Sequence, residues 1–509
     1  MRISFSIGAV AALGAALAAA ACGGSSSDAE DTGSSGTSGS SGDDKGAVLK
    51  AGKLSFLGVT TDDQVVYTVA GAGTARDIET IPLAGGSPTP IGTVASDDHV
   101  SITGGVVAFW TAVVEDDFAG TLNLWTKAAG VKTNVALASS LFGFRSSVDG
   151  SRIAFRFNRG PDTGAYDVAV TTPGAPSTTA NATTAIVTNV TSSASCTASM
   201  RFVKTSFFSS HCTGGGTGKN LVTVPDVPSP TPRTLVDGSV AADALRPEFS
   251  WTADLAGTKV FVLGGAAAQG RVITVATGAV ANIETDTTGG FLSGDGTTVF
   301  YSTKAGALKR APATNNPAPV VLVAAGFAGL EGRFGADATR VVFHSLAPSA
   351  DFLTDLKLVD TTAPGQAAIN LLGTVTGSWG AFTGTGSHVV YRTDVSTNLD
   401  LPSSGKLKVR PVTAGGVEVE IAATADYPWM LTKNTKGVFA DNSRMVSGGF
   451  VFDLKAFDAA GGTPTLMASG IGTSPAEGFL SGFWLSSDET KVIYAKPGAA
   501  GGLYVAPLP

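Results

Sequence analysis

Between residues 47 and 509, short runs of β-branched and aromatic residues alternate with turn residues, and one pattern keeps its register. It reads Ser147-Val148-Asp149-Gly150-Ser151-Arg152-Ile153-Ala154-Phe155. It returns at Ser293 to Tyr301, at Gly335 to Phe343 and at Ser486 to Tyr494. In each copy an aspartate, Asp149, Asp295, Asp337 or Asp488, stands six residues before the aromatic. An aspartate at such a turn accepts hydrogen bonds from the backbone just downstream, and a following Gly supplies positive φ. These four residues are expected to shape turns and not to hold calcium, because no copy has the oxygen-rich spacing of a calcium loop. Weaker copies end at Tyr67, Phe109, Phe261, Tyr391 and Phe439, and a tenth, around Phe207, fits loosely.

Adjacent copies lie about 40 to 55 residues apart. Each is followed by an alternating strand such as Leu122-Asn123-Leu124-Trp125 or Leu356-Lys357-Leu358-Val359, then usually a Gly-bearing turn and a third apolar run. Period-2 alternation excludes helical repeats. Three or four short strands per period is the sheet unit of a β-propeller, which removes long exposed edges by radial repetition. The fold class expected is all-β, a propeller of about eight to ten four-stranded blades spanning residues 47–509. Ten copies allow one large ring or two smaller ones. Ala47-Val48-Leu49-Lys50 precedes the first copy, and such a strand completing the last blade favours a single ring.

The S-x-D-G-x-x-h-h-F/Y motif, where h is an apolar residue, resembles the WD40-like repeat of TolB-type propellers, shared with the propellers of prolyl oligopeptidase relatives. The resemblance implies a docking platform for a protein or glycan partner on one face of the ring. It does not carry over the peptidase activity, because no G-x-S-x-G pentapeptide, the nucleophile elbow of that family, occurs in the chain.

The N-terminal segment has a different character. Arg2 is followed by an uncharged, Ala-rich apolar stretch to Ala21, which reads as a signal peptide over residues 1–21 and not as a bilayer span. It ends in Leu17-Ala18-Ala19-Ala20-Ala21-Cys22-Gly23-Gly24, which resembles the lipobox of bacterial lipoproteins, with Ala19 where that family more often has Leu. The resemblance implies a lipidated Cys22 and durable membrane anchoring through several acyl chains. Gly23 after the cysteine implies sorting to the outer membrane of a Gram-negative envelope, facing either the periplasm or the cell surface. Residues 23–46 hold 15 Gly or Ser in 24 positions and no large apolar side chain. Such a segment cannot bury enough surface to order itself, so residues 22–46 are expected to form a flexible tether reaching about 25 to 30 Å. Beyond Cys22 only Cys196 and Cys212 remain, a pair suited to a disulfide across two arms of a hairpin in an oxidising compartment, with two buried thiols as the alternative.

Composition narrows the function classes further. Gly is 65 of 509 residues and only 15% of the chain is charged, which fits many turns and few charged helices. The net charge of -7 is spread thinly with no Lys/Arg block, so nucleic acid is not an expected partner. The four histidines, His99, His211, His344 and His388, are far apart, and no metal or cofactor motif is present. Asp62-Asp63, Asp97-Asp98 and Glu115-Asp116-Asp117 read as solvated acidic turns. Gly214 to Lys219 looks like a phosphate loop, but Asn220 replaces its metal-binding Ser/Thr and Thr213 its first Gly. The sequence therefore points to a non-enzymatic envelope binding protein without a cofactor. The alternatives are a propeller lyase or hydrolase working at the channel mouth, and a surface adhesin.

Overall fold

The computed structural model describes residues 45–114, 119–141, 143–157, 166–172, 187–190, 198–212, 219–224, 231–237, 251–265, 267–335, 338–346, 354–363, 367–375, 380–394, 404–413, 415–446, 449–473, 482–497 and 501–509. Their secondary structure is antiparallel strand throughout, apart from one 3-10 turn at Asp97–His99. Eight sheets have four strands and one has seven. The larger sheet is two blades sharing Val419–Leu431, whose first half pairs backwards with Ser404–Pro411 and whose second half pairs forwards with Lys436–Val446. Ten blades result. In order they cover residues 55–94, 100–140, 145–190, 199–236, 252–282, 287–323, 327–375, 380–426 and 426–473, and finally 483–507 joined by 47–51.

The repeat motif explains the second strand of every blade. In a strand buried on both faces, alternate residues feed two different cores, so the sequence reads as a continuous apolar run. Blade 6 shows this: Val299 and Tyr301 pack against blade 5, while Phe300 packs against blade 7. Blade 7 repeats it, with Val341 and Phe343 facing blade 6 and Val342 facing blade 8. Ten apolar clusters among the described residues each join one blade to the next. The cluster of Tyr67, Ile81, Ile493 and Leu503 joins blade 10 back to blade 1. A cyclic succession of ten seams is one ring. Two smaller rings would need a seam between non-consecutive blades, and no such cluster occurs among the described residues.

Ala47–Ala51 pairs antiparallel with Gly502–Pro507 and becomes the fourth strand of blade 10. This strand is largely exposed, whereas the closing seam buries Phe56, Tyr67 and Ile493 almost completely. A fully buried large apolar side chain contributes about 1.5–3 kcal/mol, so closure rests mainly on the seam and only secondarily on the ladder. Asp63, in the first hairpin turn of blade 1, adds a polar clasp by accepting hydrogen bonds from Ser487 N and Oγ, both at 2.9 Å.

All ten motif aromatics sit on second strands and are buried. Nine of them face the preceding blade. Phe261 does not: it packs with Leu292 and Tyr301 of the following blade, and Val262 takes the slot towards blade 4. The turn explains the difference. Asp254 N bonds Lys259 O as Ser147 N bonds Arg152 O, which aligns Asp254 with Ser147 and Val262 with Phe155. The weak copy at Phe261 is thus displaced by one residue from the motif, and a one-residue displacement in a strand reverses the face.

Candidate functional site

First strands of successive blades touch one another around the ring, as in blades 1 and 2, 3 and 4, 5 and 6, and 7 and 8. They therefore converge on the axis and line the central channel. Two of them carry arginines that each reach an aromatic ring at the neighbouring blade. Arg201 lies on Ser199–Val203 of blade 4, with its guanidinium 3.9 Å from the ring centroid of Trp251, which immediately precedes the first strand of blade 5. Arg333 lies on Phe327–Phe334 of blade 7 and reaches back to blade 6. There its guanidinium is 4.8 Å from the Phe291 centroid, and Nη1 donates to Leu292 O at 3.3 Å. One arginine leans forward and the other backward, so they bracket the first strands of blades 5 and 6. Between those strands Thr252 Oγ1 donates to Gly290 O at 3.3 Å.

Arg201 is exposed to solvent although it is surrounded by the ring, the environment expected of a side chain in a channel. Enclosure by the protein, and then the nearby charge of Arg333, bring its guanidinium down to about 10; enclosure also lowers that of Arg333. Among the described residues neither has a carboxylate partner. Arg145, on the first strand of blade 3, is also exposed and donates to Phe144 O at 2.6 Å. The arrangement can hold negative charge, and its aromatic faces fix the orientation of both guanidiniums.

The residues singled out from the sequence do not gather at this place. His99 ends the 3-10 turn ahead of blade 2, while His211, His344 and His388 lie on second strands of blades 4, 7 and 8. His211 Nε2 accepts from Asn220 Nδ2 at 3.1 Å, and burial lowers the pKa of the ring. Asp97 is not the solvated turn residue expected: it is paired with Arg76 at 2.8 Å and accepts from Thr68 Oγ1 at 2.5 Å. Asp63 belongs to the ring clasp. Cys212 ends the second strand of blade 4 and is buried. Cys22, Cys196, Asp337, Glu115 to Asp117 and the glycines of the phosphate-loop lookalike all lie outside the described residues.

At the turns, Asp149 accepts from Ser151 N at 3.1 Å and Ser147 Oγ at 2.6 Å. Asp295 and Asp488 repeat this with Thr297 and Ser293, and with Thr490 and Ser486. The Ser293 hydroxyl, followed by the Thr297 backbone and hydroxyl, holds the Asp295 carboxyl at about 2, and equivalent groups do the same for Asp488. The sequence pattern did not credit the serine. Its hydroxyl is the hub, accepting the backbone N–H five residues on: Arg152 N to Ser147 at 2.9 Å, Thr298 N to Ser293 at 2.9 Å, and Lys491 N to Ser486 at 3.0 Å. Positive φ falls on Gly150 and Gly296, and also on Ala338 and Glu489 where the glycine is missing.

The choice of Tyr over Phe in the motif also has a structural basis. Tyr67, Tyr301 and Tyr391 donate to Glu79, Glu284 and Glu418, each of which pairs with a lysine. Burial and the facing carboxylates raise the three phenols far above their ordinary range. The tyrosines of these triads are buried and their Glu and Lys partners half-buried; the third triad lies within blade 8.

No protein-family model matches the chain, and no curated protein matches it. Among solved structures it is similar to a eukaryotic initiation factor, at TM-score 0.45 and 13% identity over 74% of this chain and 90% of that one. It is also similar to a TolB of Agrobacterium tumefaciens, at TM-score 0.27 and 13% identity over 55% of this chain and 94% of that one. An oligogalacturonate lyase in complex with manganese overlaps at TM-score 0.27 and 13% identity, over 59% of this chain and 96% of that one. The sheets of the described residues make an all-β propeller of ten blades.

Proposed function

We propose that this chain is a binding propeller of the bacterial envelope, lipidated at Cys22 and held to the outer membrane, that engages a protein or glycan partner without transforming it. The observation that supports binding most directly is the pair of aromatic-backed arginines, Arg201 on Trp251 and Arg333 on Phe291, presented on first strands of the ring. Pre-oriented cations, Arg201 exposed and Arg333 half-buried, suit recognition, because little side-chain entropy is left to lose on binding. A ring closed by ten apolar seams gives those groups a rigid mount. The Cys196–Cys212 disulfide belongs to the same reading, since such a bond persists in the periplasm or at the cell surface.

Two experiments test this. Replacing Cys22 with Ser should move the protein from the membrane to a soluble fraction; retention in the membrane would refute the lipid anchor. A photoreactive amino acid at Lys204, exposed in the first hairpin turn of blade 4, should yield a discrete adduct of reproducible mass in intact cells. Recovery of the unmodified monomer alone would refute the binding role.

A further inference from the structure

We propose that Arg201 and Arg333 form an oxyanion site on the channel wall, which takes a carboxylate or phosphate group of a ligand between two guanidinium forks. The inference builds on the binding reading and gives that reading a ligand chemistry.

Three observations converge on it. The two arginines come from blades 4 and 7 yet lean towards each other across blades 5 and 6, so their positive charges share one stretch of wall. Each guanidinium sits over an aromatic ring, Arg201 3.9 Å from the Trp251 centroid and Arg333 4.8 Å from that of Phe291, and among the described residues only one N–H of Arg333 is taken up, by Leu292 O. No described carboxylate neutralises either, although the chain as a whole is acidic and four of its other cations are paired: Arg76 with Asp97, Lys309 with Glu284, Lys408 with Glu418 and Lys455 with Asp441.

Two like charges held together inside a ring cost free energy, and an anion placed between them removes that cost. Burial is the larger cause of the depressed guanidinium of Arg201 and the charge of Arg333 the smaller, and the group is still charged at neutral pH. Guanidinium forks match planar or tetrahedral oxyanions through paired N–H donors, and these charge-assisted bonds are the stronger kind. Thr252 Oγ1 and the Gly290 carbonyl lie on the intervening strands, so a hydroxyl beside the anion would find polar groups there.

The test is calorimetric titration of the purified full chain with citrate and, separately, with inorganic pyrophosphate, alongside thermal unfolding with and without each anion. Saturable binding of at least one is expected, and preference between them identifies the carboxylate or the phosphate as the better occupant. Arg333→Gln and Arg201→Gln should each weaken binding about tenfold or more, the loss expected when a charge-assisted bond is removed. Arg201→Lys, which keeps the charge but not the fork, should fall between. Arg333→Gln gives up its stack on Phe291 and its bond to Leu292 O, so its own anion-free unfolding temperature is the baseline, and against that baseline it should lose the anion-dependent rise. Arg201→Gln gives up its stack on Trp251; if it fails to fold, Arg333→Gln still decides the matter. Equal affinity in parent and variants would overturn the site. If neither anion binds the parent while the Lys204 adduct still forms in cells, the oxyanion site is overturned and the binding role stands.

Discussion

Blades 5 and 6 are neighbours built on the same template, yet one follows the repeat motif closely and the other is displaced by one residue. In blade 6 the Ser293 hub, the Asp295 turn and Gly296 at φ 70° deliver Tyr301 to the face it shares with blade 5. In blade 5 Asp254 stands at the hub position, accepting from Thr258 N at 2.7 Å and Lys259 N at 3.1 Å, and Phe261 points the other way. The result is that both aromatics occupy one seam. The seam on the far side of blade 5 is filled differently, by Phe208 and Trp251 with ring centroids 5.0 Å apart, and Val262 completes it. Interior packing requires filled volume and not a fixed residue at a fixed place, so a displacement on one strand can be compensated by large side chains on its neighbours.

That comparison can be broken in order of expected effect. Phe261→Ala removes a fully buried ring from the doubly aromatic seam and should destabilise by about 3–5 kcal/mol, read as a lower denaturant midpoint in chemical unfolding. Little or no change would mean that the seam can collapse around Tyr301 alone. Val262→Phe restores an aromatic at the motif position, but the space is already taken by Phe208 and Trp251; overpacking should cost about 1–3 kcal/mol. A gain in stability would show instead that blade 5 carries an unfilled motif slot.

The smallest effect concerns the turns and appears only in acid. The folded pKa of Asp295 is depressed to about 2, so its contribution is present above the ordinary carboxylate range and is lost as pH falls towards 2. Asp295→Asn should therefore flatten the fall in stability between about pH 4 and pH 2 and leave the pH 7 unfolding temperature only slightly changed. An unchanged acid limb would mean that the serine hub alone holds this turn. Blade 5, with its buried Asp254 in the hub position, tests the same device with the carboxylate moved to the centre.

Much of the architecture was readable from residue pattern. The aromatics at Tyr67, Phe109, Phe155, Phe207, Tyr301, Phe343, Tyr391, Phe439 and Tyr494 mark the second strand of nine blades, because a two-sided buried strand needs an unbroken apolar run after a tight turn. Phe261 also marked its blade but not its register, since the pattern cannot tell Asp in the turn position from Asp in the hub position. The candidate site was not legible. Arg201 sits in Met200-Arg201-Phe202 and Arg333 in Gly332-Arg333-Phe334, contexts that carry no motif.

What the sequence determined by itself was local: turn chemistry, strand alternation, the period of the repeat and a spare strand at Ala47–Ala51. Those features are encoded within a few residues of one another, where hydrogen-bonding and side-chain periodicity act. The ring decided the rest. How many blades close, which faces share a seam, and which charges meet depend on contacts between segments far apart in the chain. Arg201 and Arg333 are brought together only because the first strands of blades 4 to 7 curve around a common axis, and the field they create there exists in no shorter piece of the chain.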